Sequence, residues 1–203
     1  MTSEIIAQIL LEKQAVLLNL TTPFQWASGI LSPIYCDNRQ ILSYPNERNI
    51  VADALADLIR IKYPIANVVA GTATAGIPHA AWVSERLNLP MIYVRSSAKK
   101  HGRKQAIEGH LNPDDQVVLV EDLISTGKSV LDAAKIVSQT NKVVGVVSIF
   151  SYEFKQAREQ FDQAHMTYHS LSNINSLIHI AKKNGFLNEN EVELFLEWYK
   201  NYQ

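Results

Sequence analysis

Short, continuous apolar runs alternate along this chain with longer stretches in which apolar residues recur every three or four positions. The continuous runs are rich in β-branched residues, as is typical of strands buried on both faces of a sheet; they lie at 67–71, 89–94, 117–120 and 141–150. The periodic stretches predict helices at about 45–63, 76–88, 130–137, 153–164, 173–183 and 188–201. The alternation predicts an α/β fold, with a largely parallel sheet flanked by helices and right-handed crossovers.

The N-terminal segment has a different pattern. Residues 3–14 predict a helix and residues 15–20 an extended segment, followed by a turn at Thr21-Thr22-Pro23. Phe24 and Trp26 then alternate as strand residues before a Ser28-Gly29 turn, and a second strand resumes at residues 32–35. We therefore expect one domain over residues 1–203, in which the first 40 or so residues contribute a small hood.

The amino-acid composition limits the kinds of partner that this protein is expected to bind. The 203-residue chain is 47% hydrophobic and 19% charged with a formal net charge of −1, which is typical of an ordinary globular protein and not of a basic nucleic-acid-binding domain. The lone Cys36 excludes an internal disulfide framework and fits a reducing cytoplasm. No apolar run approaches the roughly 18 residues that span a membrane. We expect a cytoplasmic protein with neither nucleic-acid nor membrane partners.

The stretch from Val117 to Ser129 contains the residues that best indicate a ligand. Its strand leads into two carboxylates, Glu121 and Asp122, and then into a loop of small and hydroxyl-bearing residues before a helix. The loop offers backbone N–H groups, hydroxyls and a helix N-terminus, which together suit a phosphate. The acids suit Mg²⁺ or sugar hydroxyls, so the stretch favours a phosphorylated sugar. The alternative is that the acids merely end a strand and Ser125 or Thr126 caps a helix.

Two common nucleotide motifs are excluded. A P-loop needs glycine five residues before Gly127, and that position is Asp122. No G-x-G-x-x-G sequence occurs in the chain. The stretch instead resembles the phosphoribosyl-diphosphate (PRPP) signature of the type I phosphoribosyltransferases. The resemblance implies that Glu121 and Asp122 contact the ribose and that the loop holds the 5-phosphate.

A second resemblance concerns the acceptor. Phe-x-x-x-Ser-Gly-x-x-Ser-Pro-Ile-Tyr, from Phe24 to Tyr35, is similar to the N-terminal signature of orotate phosphoribosyltransferases, where it forms a hood over the pyrimidine. This implies orotate contacts from Ile34, Tyr35 and Ser125. The alternative, on composition alone, is that these aromatic residues belong to the hydrophobic core.

Residues 95–109 concentrate cations and lack an apolar period. Such a run is usually a solvated face, but a long loop between core strands is more often functional. The resemblance implies a mobile catalytic loop in which Arg95, Lys99 and His101 contact the diphosphate, with Lys100 a less certain match. It also implies a homodimer in which Lys99 and His101 reach into the neighbouring subunit's site. The small-residue turn 72–76 would wrap the pyrophosphate.

Taken together, the resemblance implies three catalytic residues and a larger PRPP site. The catalytic residues are Lys99, His101 and Asp122. The PRPP site comprises Arg95, Lys99, Lys100, His101, Glu121, Asp122, Leu123, Ile124, Ser125, Thr126, Gly127, Lys128 and Ser129. Mg²⁺ is the expected cofactor; it would bind through PRPP near the two acids, with no direct protein ligand.

The chain departs from the family pattern at three places. Ala27 and Ala75 stand where many members have lysine, and the arginine expected to bind orotate after strand 141–150 is missing around Ser151. The carboxylate of orotate therefore lacks an obvious basic partner, and Ser125 with the hood backbone would have to bind it.

The expected reaction transfers phosphoribose from PRPP to orotate, giving orotidine 5′-monophosphate and pyrophosphate in pyrimidine (UMP) biosynthesis. Two alternatives remain open. A purine phosphoribosyltransferase would share the donor signature, and a non-catalytic PRPP-sensing regulator would bind the donor without turnover.

Overall fold

The computed structural model describes residues 2–26, 29–95 and 106–203. Within them the elements, in chain order, are α1 (Thr2–Glu12), β1 (Val16–Leu18), β2 (Phe24–Gln25), β3 (Leu31–Ser32), β4 (Ile34–Cys36), a 3₁₀ helix (Asn38–Ser43), α2 (Pro45–Lys62), β5 (Val68–Thr72), α3 (Gly76–Leu87), β6 (Met91–Val94), β7 (Ile107–Glu108), β8 (Gln116–Ile124), α4 (Lys128–Val137), β9 (Lys142–Ser151), α5 (Lys155–Gln163), β10 (Tyr168–Asn173), α6 (Ile174–Lys183) and α7 (Glu189–Lys200).

Six strands form the central sheet in the order β10-β9-β8-β5-β6-β7. The first five of these strands run parallel, and β7 lies antiparallel to β6 at the edge. The expected α/β class with a largely parallel sheet is confirmed. The order of the strands reverses at β5, which has β6 on one side and β8 on the other. Open α/β sheets bind ligands at such a switch point, at the carboxyl ends of the strands.

Helices cover both faces because the strands are apolar on both. Along β8, Val117 and Leu119 pack with α4 and α5 on one face, whereas Val118 and Val120 pack on the other with α1, α2, α3 and α6. All four valine and leucine side chains are fully buried. Alternation of side chains along a strand thus explains why the run has no polar positions.

Strand β8 is longer than its apolar run. The run ends at Val120, but β8 continues through Ile124 because its ladder with β9 continues, pairing Leu123 with Phe150 and Ile124 with Ser151. The acid pair therefore lies inside the strand and not just beyond it. Pairing with the neighbouring strand overrides the low strand propensity of two acids.

The hood consists of two small antiparallel pairs, β1 with β4 and β2 with β3. Helix α1 does not join it; its buried face, which includes Ile6 and Leu10, belongs to the main core on the side of α6. The side of the hood facing the core is held by aromatic contacts. Trp26 packs with Tyr152, Phe154 and Trp198 at ring-centroid distances of 5.1, 6.1 and 6.4 Å.

Across the described ranges, none of the helices is both long and apolar enough to cross a membrane.

Candidate active site

The carboxyl edge of the sheet brings together three segments that are far apart in sequence. The turn after β5, the residue after β6 and the loop after β8 meet there because these strands are neighbours and parallel. A cavity of about 370 Å³ opens beside the end of β8. It is lined by Glu121, Leu123, Ser125, Thr126, Gly127, Lys128, Ser129, Val130 and Asp132. The structure thus gathers most of the expected donor site around one cavity.

The two acids form a coupled pair. Glu121 is only 6% exposed, and its Oε1 accepts a hydrogen bond of 3.0 Å from the Asp122 backbone N–H. Burial raises the pKa of both carboxyl groups, and the negative charge of Asp122 raises the pKa of Glu121 further. The pair therefore retains a proton to higher pH than two solvated carboxyl groups would, and it is suited to receiving hydroxyl groups or a cation.

The loop from Ser125 to Ser129 is shaped by Gly127, which has a left-handed φ of 79° and directly precedes α4. A Cβ at Gly127 would lie 2.6 Å from the ring of Phe161, so the position has no room for a side chain. The Lys128 side chain turns along the helix to Asp132, at 2.8 Å. Its backbone N–H lies 3.4 Å from Thr126 Oγ1 in the loop, at the N-terminus of α4, where backbone N–H groups lack helical partners.

The turn after β5 is pressed against β8. Thr72 Oγ1 donates to the carbonyl of Val120 at 3.1 Å, and a Cβ on Gly76 would collide with that same carbonyl. Glycine is required here by close approach of backbone to backbone. The turn that was expected to wrap pyrophosphate is therefore fixed against the strand that carries the acids.

Arg95 directly follows β6 and lines a second, smaller cavity of about 100 Å³, together with Thr72, Ala73 and Ser129 among others. Its Nη1 lies 3.3 Å from Glu108 Oε1. The structure therefore places this expected diphosphate contact next to both the turn after β5 and the start of α4.

In the hood, Tyr35 is 39% exposed and pairs with Phe24 at a ring-centroid distance of 5.8 Å. Ile34 is fully buried, and its carbonyl accepts hydrogen bonds from Trp26 Nε1 at 3.0 Å and Ser32 Oγ at 2.9 Å. Each interpretation of the hood aromatics therefore holds for one residue. Trp26 packs against the hydrophobic core, whereas Tyr35 is exposed.

Two residues at the base of the hood were not expected in the site. Asn38, fully buried, donates from Nδ2 to the backbone carbonyl of Asp122 at 2.7 Å. Arg39 forms a two-point ion pair with Asp37, Nε to Oδ1 at 2.6 Å and Nη2 to Oδ2 at 3.0 Å. No sequence signal links Asn38 to an acid 84 positions later, because only the packing of the hood on β8 joins them.

Other expected residues divide into two groups. Lys99, Lys100 and His101 lie outside the described residues. Ser151 lies in the region where the family pattern has an arginine that this chain lacks. Ser151 is buried, and the neighbouring Tyr152 lies in the aromatic cluster with Trp26.

Among the residues that the structure describes, no group of three or more histidine, cysteine or acidic side chains is placed to hold a metal ion. The expectation that Mg²⁺ binds through PRPP near the two acids, with no direct protein ligand, stays a prediction.

Residues 37–182 match the family model described as the phosphoribosyl transferase domain, and the fold and cavity define an enzyme of that class. Over 197 residues the chain is 51% identical to the orotate phosphoribosyltransferase of Staphylococcus saprophyticus, covering 97% of each chain. The chain belongs to the orotate phosphoribosyltransferase family.

Solved structures agree with this assignment. The orotate phosphoribosyltransferase of Aeropyrum pernix superposes with a TM-score of 0.77 at 27% identity, covering 90% of this chain and 99% of that one. The Mycobacterium tuberculosis enzyme in complex with PRPP shares the fold, with a TM-score of 0.67 at 20% identity and coverage of 87% and 99%. The predictions of fold class, family and enzyme class are confirmed.

Proposed function

We propose that this enzyme transfers phosphoribose from PRPP to orotate, producing orotidine 5′-monophosphate and pyrophosphate in pyrimidine biosynthesis. The observation that carries the proposal is one cavity at the switch point of the sheet, which is lined by Glu121 of β8 and by the small-residue loop before α4. The names of the relatives, and the PRPP complex of the M. tuberculosis enzyme, support the same substrates.

In this proposal the donor lies along the end of β8. The backbone N–H groups of residues 125–129 and the N-terminus of α4 bind the 5-phosphate. Glu121 and Asp122 accept hydrogen bonds from the ribose hydroxyls, and Leu123 and Ile124 supply the rigid strand that holds this geometry. The diphosphate extends toward the turn after β5 and Arg95.

Catalysis then rests on orientation and on stabilising the leaving group. The sugar carbon passes through a state resembling an oxocarbenium ion, so the negative charge that develops on pyrophosphate must be neutralised. We assign this role to Arg95 and to Lys99, Lys100 and His101 of the cationic loop. A closed loop would also exclude water, which would otherwise hydrolyse the donor.

Mg²⁺ fits this site as a cofactor carried by the donor. The carboxyl groups of Glu121 and Asp122 offer hard oxygen atoms close to the proposed donor site, and burial raises the pKa of both. When bound, the cation would neutralise charge on the departing pyrophosphate. The two acids would hold the hydroxyl groups and the cation on one side of the ribose.

The acceptor lies under the hood in this proposal. Tyr35 and Ser125 flank the base from opposite sides of the cavity mouth, and Ile34 holds the strand that presents Tyr35. The homodimer with shared sites, the single domain spanning 1–203 and the cytoplasmic location remain predictions.

The test is base-dependent consumption of PRPP by the purified protein. Labelled PRPP and Mg²⁺ are incubated with orotate, uracil, adenine, hypoxanthine or no base. We expect pyrophosphate release with orotate and little with the purines. Turnover of a purine in preference to orotate would contradict the acceptor assignment, and tight PRPP binding with no turnover on any base would indicate a regulator.

Asp122→Asn examines the donor site in the same assay. We expect a loss of activity of at least about a hundredfold, because the amide cannot replace the charged acceptor in the transition state. The matched control is Asp132→Asn, on the rim of the same cavity but paired with Lys128 and Lys135, which should change activity far less. Equal effects of the two substitutions would contradict the ribose role.

A further inference from the structure

Orotate differs from uracil by one carboxylate, and this chain lacks the arginine that the family pattern places after strand 141–150 to bind orotate. The last residue of β9 and the residue after it are instead the buried Ser151 and Tyr152. An anion buried without a cationic or hydrogen-bonding partner is costly, so a different residue has to receive it.

Arg39 closely follows β4, the hood strand that carries Tyr35, the residue proposed to contact the base. Its two-point bond holds the guanidinium at Asp37, two positions after Tyr35. From there its charge interacts with Tyr35. Tyr35 is exposed, whereas the neighbouring Ile34 is fully buried.

The same turn is fixed against the donor site. Asn38, between Asp37 and Arg39, donates to the Asp122 carbonyl at 2.7 Å, which brings this turn against the end of β8. The charges of Arg39 and Asp122 interact across this gap: the guanidinium lowers the pKa of Asp122, although burial dominates and the net direction is upward. The charge of Arg39 thus interacts both with Tyr35 of the hood and with the acid that is proposed to hold the ribose.

The guanidinium retains donors for a second anion. Arginine carries five N–H donors in a planar fork, and Asp37 engages Nε and Nη2. The side chain of Arg39 is 61% exposed, so Nη1, which Asp37 does not engage, remains accessible to a ligand. A planar carboxylate is the partner that such a fork matches best.

Two other described cations near the site lie away from the hood. Arg95 lies across the sheet at the end of β6 and pairs with Glu108, and Lys128 turns away to Asp132. Neither adjoins Tyr35.

We propose that Arg39 binds the carboxylate of the pyrimidine acceptor and is the residue by which this enzyme selects orotate over uncharged pyrimidines, with Asp37 and Asn38 as positioning residues. The proposal rests on the proposed function, since it concerns the acceptor of that same reaction. It replaces the expectation that Ser125 and the hood backbone bind this carboxylate unaided.

The experiment compares wild type, Arg39→Gln, Arg39→Lys and the control Arg60→Gln. Arg60 is similarly exposed, at 53%, and similarly paired, with Asp57 at 2.7 Å, but lies on α2. Steady-state kinetics with orotate, the inhibition constant of uracil against orotate, and PRPP binding without base are measured for each. We expect Arg39→Gln to raise KM for orotate by about tenfold to a hundredfold, as for loss of a charge-assisted hydrogen bond, with Arg39→Lys intermediate. Uracil inhibition and PRPP binding should change less than about twofold.

The outcomes separate this proposal from the one on which it rests. If wild type uses orotate and Arg39→Gln leaves its KM unchanged, the assignment of Arg39 is wrong while the reaction stands. If PRPP binding weakens as much as orotate binding, Arg39 serves the donor and the proposal is overturned. If wild type does not use orotate, the proposed function itself fails.

Discussion

At the scale of single residues, the site keeps charges in unfavourable surroundings. Glu121 and Asp122 are adjacent on β8, and burial raises the pKa of both carboxyl groups. Residues kept at such a cost in stability are typical of binding and catalytic sites. In the proposed function, a donor that carries Mg²⁺ would bring a positive charge to these two carboxyl groups and so lower this cost in stability.

Glu121→Gln should therefore stabilise the unliganded protein while impairing turnover. A raised folded-state pKa favours the protonated form, so the contribution of Glu121 to stability falls as pH rises from its unfolded value toward its folded value. Glutamine does not ionise, and we expect it to increase the free energy of unfolding by about 1 kcal/mol or more at pH 8. Denaturant unfolding at pH 5 and pH 8 measures this, and an equal difference at both pH values would contradict it.

His79 shows the opposite dependence on pH. It is 1% exposed, its ring nitrogens have no hydrogen-bond partner among the described residues, and burial lowers its pKa to about 4. Its neutral form supports the fold above pH 6.5, and this support is lost as pH falls from 6.5 toward 4, by about 3 kcal/mol in total.

Comparing wild type with His79→Phe isolates this contribution. We expect the difference in free energy of unfolding between the two proteins to change by about that amount across the same pH window. A difference that stays flat from pH 4 to 7 would show that His79 does not titrate in this way.

At the scale of elements, the hood depends on the C-terminal helix. Trp198 on α7 donates from Nε1 to the carbonyl of Leu31 at 3.1 Å and stacks edge-on with Trp26 and Phe154. The short strands β2 and β3 could not form a stable hairpin alone. Their position over the acceptor side of the site is therefore set by a helix that is distant in sequence.

Trp198→Phe tests this dependence because it keeps an aromatic ring and removes the indole N–H. We expect a loss of about 1 kcal/mol in stability and a rise in KM for orotate of a few-fold, since the hood becomes less well ordered over the base. PRPP binding measured without base should be unchanged. A matching loss in PRPP binding would indicate that the helix supports the whole site instead of the hood.

At the scale of the whole molecule, topology assembles the donor site. The reversal of strand order at β5 leaves a crevice between the ends of β5 and β8, and the turn pinned by Gly76 closes one side of it. The cations expected to close the other side belong to residues 96–105, which the resemblance assigns to a second subunit.

Mixing two inactive variants tests that assignment. Lys99→Ala and Asp122→Asn subunits should form hybrid dimers in which one site combines an intact acid pair with an intact loop. Random mixing would restore about a quarter of wild-type activity, because half of the dimers are hybrids and each has one complete site. Activity that stays at the sum of the two separate variants would argue against shared sites.

The predictions from sequence were most accurate for features that depend on consecutive residues. The apolar runs specify buried strands through local periodicity, and residues 117–129 place strand, acids, loop and helix in an order that points to a sugar phosphate. The element boundaries were less accurate at β8, where pairing with β9 extends the strand through Ile124.

Tertiary structure decided the relations between distant segments. The contact of Asn38 with Asp122 and the packing of Trp26 against Tyr152 cannot be predicted from sequence periodicity, because each depends on how the hood packs against the sheet. The sequence by itself determined the fold class and the donor-binding stretch, since these follow from local propensity and consecutive residues. The three-dimensional arrangement alone determined which side chains face the acceptor, since burial and long-range contacts set that choice.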